Sequence, residues 1–168
     1  KLQPMRGGGK EFFLSEHDLQ KAIELSLTEA QQAAKKQNEI DSLLATLIPG
    51  NLHIQKVLGD GNCLFRAVSR SFRDVSGSFL HHADLRKSCV DLIRNTSELN
   101  SRFYDQTDFQ NYINEMYKDG IFADELCIKS LSLFLQRTIE VYTPNHGIQK
   151  FVSPCSEGSL PVRLTHNG

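Results

Sequence analysis

The sequence predicts an α+β domain, equally readable as a three-layer α/β arrangement, and three observations carry that prediction. Helix-periodic segments fill the middle of the chain, from Cys63 to Gln136. Short β-branched and aromatic segments, Thr138–Tyr142, Ile148–Val152 and Pro161–Thr165, come last, so strands must pack against helices already made. The 168 residues, 39% hydrophobic, suffice for one core with an appendage.

Residues 1–14 hold Pro4 and the run Gly7-Gly8-Gly9, which no regular element accommodates, and read as a flexible lead. A helical appendage is expected over 15–48. Ser15 is placed to cap it, Asp18 lies in its first turn, and Pro49-Gly50 stops it. Along this helix Leu19, Ala22, Ile23, Ser26 and Leu27 share a narrow face, bracketed by Glu16, Asp18, Glu24 and Glu29.

The main domain is expected over 51–168. Asn51–Leu58 reads as a short strand or an extended lead into a turn at Gly59. A helix then runs from Cys63 to about Phe72, ahead of the turn Ser76-Gly77-Ser78. Further helices are expected over His81–Arg94, with Leu85, Cys89, Leu92 and Ile93 on one face, over Phe109–Tyr117, and over Asp124–Gln136. The run Thr143-Pro144-Asn145-His146-Gly147 ends the first strand, and a Ser/Gly-rich turn precedes the last.

A formal net charge of −1 gives no electrostatic footprint for nucleic acid. No apolar run approaches the roughly eighteen residues of a membrane span, and no secretory signal pattern opens the sequence. The four cysteines, Cys63, Cys89, Cys127 and Cys155, are widely separated, without zinc-like or disulfide-like spacing. No metal or organic cofactor is implied, and a reducing, intracellular setting fits best.

The chemistry concentrates at Gly59-Asp60-Gly61-Asn62-Cys63-Leu64-Phe65-Arg66-Ala67-Val68. Two glycines flank a short polar run, suited to positive φ or close backbone approach, and a helix-compatible segment follows. Cys63 is thereby placed at a helix N-terminus, where unpaired N–H groups and the helix dipole stabilise a thiolate or an oxyanion. A buried core cysteine is the competing reading of the same position.

A thiol nucleophile needs a general base, normally an imidazole. Of the six histidines, His17 falls in the first helix, while His81 and His82 open another and read as surface residues. His146 lies in a turn. Position favours His166, just after the last strand, with His53, in the segment leading to the Gly59 turn, behind it.

The stretch Asp60-Gly61-Asn62-Cys63-Leu64-Phe65-Arg66-Ala67 resembles the signature of the ovarian-tumour (OTU) family of cysteine deubiquitinases. His82-Ala83-Asp84-Leu85-Arg86 is similar to that family's next helix. Gly120-Ile121-Phe122-Ala123-Asp124-Glu125-Leu126 is similar to its Gly-x-Trp-Gly-x-x-x-Glu-Leu region, with Phe122 where tryptophan is usual. Ile139-Glu140-Val141-Tyr142 and Pro161-Val162-Arg163-Leu164 resemble its late core strands, so the likeness covers about 52–166. Separately, Glu16–Glu29 resembles the ubiquitin-interacting motif, with Leu19, Ala22, Ser26 and Glu29 at the matching steps. An ordinary amphipathic helix explains the same periodicity.

The family resemblance implies a papain-type fold, with a small central sheet packed between helices. It also implies a cytoplasmic or nuclear enzyme, acting in a host cytosol if the protein is a pathogen effector. Cys63 is then the nucleophile on the isopeptide bond joining ubiquitin to lysine, and Asp60 belongs to the active centre. The backbone amides of Asp60, Gly61, Asn62 and Cys63 suit an oxyanion hole, although the Asn62 side chain is equally placed to cap the helix. The motif-like helix implies contact of Leu19, Ala22, Ile23, Ser26 and Glu29 with ubiquitin or polyubiquitin. One departure stands out: the family's base histidine precedes an aromatic residue, and no such pair occurs in this sequence. Three readings of the base stay open: a histidine outside these residues, His166 itself, or His53 in a permuted fold. An OTU-like module that binds ubiquitin without cleaving it is the alternative to an enzyme.

Overall fold

The structure, a computed structural model, describes residues 15–50, 52–144 and 146–166. The lead expected over 1–14 lies outside them. The chain divides into two compact units, with the boundary between Ser42 and Leu43.

Helix α1 (Glu16–Leu47) crosses that boundary. Ser15 starts it as the sequence predicts: its Oγ accepts the Asp18 N–H at 3.2 Å and donates to Asp18 Oδ2 at 2.6 Å. The apolar side chains of the motif-like face lie open, Leu19 52% and Ile23 54% exposed.

The second unit holds α2 (Cys63–Ser76), α3 (His82–Asn95), α4 (Ser97–Asn100), α5 (Gln106–Met116) and α6 (Glu125–Leu135), then β1 (Ile139–Thr143), β2 (Gly147–Phe151) and β3 (Val162–Thr165). This is the α+β order predicted from sequence. Short polar side chains start the later helices. Asp105 accepts the N–H groups of Thr107 and Asp108, Asp124 accepts that of Cys127, and His81 Nδ1 accepts that of Ala83.

The sheet order is β2-β1-β3. Strand β1 pairs antiparallel with β2, from Ile139↔Phe151 to Thr143↔Gly147, and parallel with β3, from Ile139↔Val162 to Tyr142↔Thr165. Every residue of β1 is buried, as a central strand requires. Ile139, Val141, Val162 and Leu164 join Phe65 and Val68 of α2, Leu85, Cys89, Val90 and Ile93 of α3, and Leu126, Leu131 and Leu135 of α6 in one core. The opposite parity of β1 carries Glu140, whose carboxylate takes bonds from Tyr142 Oη (3.0 Å), Arg163 Nε (3.1 Å) and Lys150 Nζ (3.0 Å). Burial pushes this carboxyl up, but the three donors outweigh it and hold the group below its ordinary range.

Four boundaries differ from the sequence reading. Helix α2 runs to Ser76, past the predicted end at Phe72, because Gly77 closes it in the left-handed conformation (φ 73°) with its N–H on Arg73 O. Helix α5 starts earlier than Phe109, at the Asp105 cap. The four-residue α4 has too little periodicity to show in a sequence. Residues 52–58 form no strand and no helix, so the extended lead describes them better than the strand.

Candidate active site

Cys63 is the first residue of α2 and is half-buried. Three backbone features put it there. Gly61 has φ 77°, in the left-handed region that favours glycine. A Cβ on Gly61 would stand 1.8 Å from the Gly120 carbonyl oxygen, so the two chain segments touch backbone to backbone. Asn62 turns the chain into the helix with φ −99° and ψ 3°, in the bridge region where active-site residues often sit.

Polar bonds fix this turn. Asp60 Oδ1 accepts the Asn62 N–H at 3.1 Å, and Asp60 Oδ2 pairs with Arg66 Nη2 at 2.8 Å. The Arg66 guanidinium beside Asp60, aided by the Asn62 N–H, holds its carboxyl below the usual carboxylate range. From α3, Arg86 Nη2 donates to Gly61 O (2.9 Å), to Asn62 Oδ1 (2.8 Å) and to Ile121 O (2.8 Å). Arg86 Nη1 donates to Met116 O at 3.0 Å, and the guanidinium carbon lies 4.5 Å from the centre of the Phe65 ring.

The four residues Asp60, Gly61, Asn62 and Cys63 therefore form one braced loop. Their N–H groups are not equivalent. That of Asn62 is engaged by Asp60, whereas those of Gly61, Cys63, Leu64 and Phe65 have no acceptor among the described residues. The Asn62 side chain makes no capping bond, so the helix-cap alternative drawn from the sequence does not hold.

The histidines are arranged less clearly. His166 is exposed beyond β3, with its backbone N–H on Tyr142 O at 2.9 Å. His53 is exposed in the irregular stretch before the turn. Among the described residues, no imidazole is hydrogen-bonded to Cys63 or Asp60. His82, expected at the surface, is half-buried. Burial and the neighbouring Arg66 and His81 hold its imidazole below the ordinary range, against the opposing charges of Asp119 and Asp60. The other thiols differ from Cys63: Cys89 and Cys127 are buried and Cys155 is exposed. The contact with Cys127 and burial push the Cys89 thiol up, so it stays protonated. Phe122, in place of the usual tryptophan, is 64% exposed, one residue beyond the Ile121 carbonyl that Arg86 holds.

Arg86 is the residue that the sequence reading missed. A cation three and four positions before Cys89 and Val90, beside the apolar face of a helix, was the available signal. Among the described residues no group of three or more His, Cys, Asp or Glu is placed to hold a metal ion, and no helix is long and apolar enough to cross a membrane.

A half-exposed cysteine at an uncapped helix N-terminus, reached through a glycine turn beside a small sheet, defines a thiol-hydrolase type of site. The profile of the OTU-like cysteine protease family matches residues 58–165, and the chain belongs to that family. It is similar to OTU domain-containing protein 5-A of Danio rerio, 28% identical over 115 residues covering 68% of this chain and 20% of that protein. Among solved structures it is similar to the OTU domain of OTUD1, with a TM-score of 0.57 at 21% identity over 79% of this chain and 86% of that one. An OTU deubiquitinase from Wolbachia pipientis wMel bound to ubiquitin gives a TM-score of 0.56 at 14% identity, over 71% and 92% of the two chains. These likenesses establish the fold. The chain spans between 11% and 41% of the length of the curated relatives it matches.

Proposed function

We propose that this chain is the catalytic part of a cysteine deubiquitinase. The Cys63 thiolate attacks the carbonyl carbon of the isopeptide bond between ubiquitin's C-terminal glycine and a lysine. The carbonyl oxygen becomes an oxyanion held by the free N–H groups of Cys63 and Gly61. Collapse of this intermediate expels the lysine amine, protonated by the base that took the Cys63 proton, and forms a thioester between Cys63 and ubiquitin. Water then attacks the thioester, releasing ubiquitin's carboxylate and restoring the thiol. Asp60 serves by fixing the turn through Asn62 and Arg66.

The observation that carries this reading is the braced loop with Cys63 at an uncapped helix start. The support for ubiquitin as partner is family membership together with a ubiquitin-bound structural neighbour. The residues divide into a ubiquitin-binding helical appendage over 15–48 and a catalytic domain over 51–168. In the appendage, Leu19, Ala22, Ile23, Ser26 and Glu29 take ubiquitin on an exposed helix face where Ala22 opens a shallow depression beside Ile23, Ser26, Leu27 and Ala30. Four free thiols fit a reducing compartment, cytoplasm or nucleus, or a host cytosol for an effector.

The test is cleavage of a ubiquitin C-terminal amide and of lysine-linked ubiquitin dimers by the full chain, with Cys63→Ala as control. Cleavage lost in the control supports the proposal; cleavage that survives Cys63→Ala contradicts it. His166→Ala sorts the base: lost turnover assigns it to His166, and retained turnover moves it to another histidine. A second reading, a module that binds ubiquitin without turnover, is favoured by the lack of an imidazole bonded to Cys63 among the described residues. It predicts binding and no cleavage at any pH.

A further inference from the structure

We propose that Arg86 is a positioning residue for Cys63: it holds the Asn62 side chain away from the start of α2, keeping that helix uncapped where the thiol sits. The inference rests on Cys63 being the nucleophile.

Asparagine is among the best helix-capping residues, and Asn62 stands directly before α2. It nevertheless makes no capping bond, and its backbone lies outside the extended region that capping residues adopt. The reason is on α3. Arg86 Nη2 binds Asn62 Oδ1 at 2.8 Å, and the same nitrogen binds Gly61 O at 2.9 Å and Ile121 O at 2.8 Å. Two N–H protons serve three oxygens, which draws the 61–62 turn and the 121 segment to one point. The guanidinium cannot easily turn away, because it stacks on Phe65 and its other arm holds Met116 O.

The energetics single out orientation as what the charge supplies. Arg86 is only 4% exposed, and an arginine keeps its charge when buried. Its hydrogen-bond partners are neutral oxygens, with no carboxylate among them. A buried cation without a counter-charge is a costly way to fill space that an apolar side chain would fill as well. It does, however, fix the direction of the Gly61 carbonyl. Because the peptide unit is planar, that also fixes the Asn62 N–H, which points to Asp60 Oδ1. With both the side chain and the amide of Asn62 engaged elsewhere, the N–H groups of Cys63, Leu64 and Phe65 stay free for a thiolate or an oxyanion.

The experiment follows Cys63 alone, on the full chain, and requires neither ubiquitin nor a base. The rate of iodoacetamide modification at Cys63 is measured by peptide mass spectrometry between about pH 5 and pH 10, a window bracketing ordinary thiol titration. In Arg86→Met, Asn62 is released to cap its own helix. Modification at neutral pH is expected to slow about fivefold, the size of one helix-capping bond, with the profile displaced to higher pH. Adding Asn62→Ala to Arg86→Met removes the competing cap, and the profile is expected to return toward that of the unsubstituted chain. Near-UV circular dichroism reports folding; should Arg86→Met not fold, Arg86→Lys is read instead, with a displacement in the same direction. A folded Arg86 variant with an unchanged profile overturns the inference, as does a displacement that Asn62→Ala does not relieve. Normal Cys63 reactivity without ubiquitin cleavage would instead count against the proposed function and leave the role of Arg86 standing.

Discussion

The loop at Asp60–Cys63 and the helix face at Leu19–Glu29 both carry sequence patterns that point to ubiquitin, yet they are built by opposite means. The loop depends on distant residues. Arg86 lies 24 positions from Asn62, and Gly120 closes against Gly61 from farther along the chain. The helix face needs only its own backbone, since its side chains are exposed and its start is capped by Ser15. A site assembled from tertiary contacts fails when a contact fails, whereas a face on one helix changes only where it is touched. That contrast orders the predictions.

The largest effect is expected at Gly61→Ala. Positive φ and a 1.8 Å approach to Gly120 O leave no room for a methyl group. Destabilisation of at least about 3 kcal/mol is predicted in urea unfolding, with loss of Cys63 reactivity. A stable and reactive Gly61→Ala would break the comparison, because the loop would then not depend on that packing. Next comes Ala22→Asp, which sets a charge and added bulk in the middle of the exposed face. Ubiquitin binding, by isothermal calorimetry on a Cys63→Ala background, is predicted to weaken on the order of tenfold, while unfolding moves by less than about 1 kcal/mol. Unchanged affinity would leave the helix as scaffold.

Gly77→Ala sharpens the first result. Its φ of 73° is close to that of Gly61, but among the described residues nothing beyond its chain neighbours lies within 4 Å of the added methyl, so a cost of only about 1 kcal/mol is expected from the same unfolding assay. Equal effects at the two glycines would show that strain alone, without the Gly120 contact, sets the loop. The smallest effect concerns Asp60. Its folded-state titration lies below the ordinary value of 3.8, so its contribution is full above that pH and is lost as pH falls through the lower folded value. In Arg66→Gln, carboxyl titration followed by NMR is expected to move up toward the ordinary value.

How far the sequence anticipated all this follows from the same contrast. The capped start of α1, the cysteine at the start of α2 and the late strands are written in neighbouring residues, so local propensity exposed them. The role of Arg86 is not written locally, because its partners lie on the 60–62 loop and at Met116 and Ile121, a convergence that no spacing rule contains. The helix end at Ser76, four residues beyond the predicted stop, turns on Gly77 acting as a terminator. The place of His82 at a helix start predicts a surface side chain, but packing half-buries it. Position along the chain favours His166 as the base, while its hydrogen bonding, a backbone N–H on Tyr142 O, gives it no tie to Cys63.

A ubiquitin carrying an electrophile at its C-terminus tests most directly whether Cys63 attacks the C-terminal carbonyl of ubiquitin. The predicted result is one ubiquitin added per chain, with peptide mapping placing the adduct on Cys63. Cys63 recovered intact after saturating exposure, or an adduct on the exposed Cys155 instead, would contradict the account.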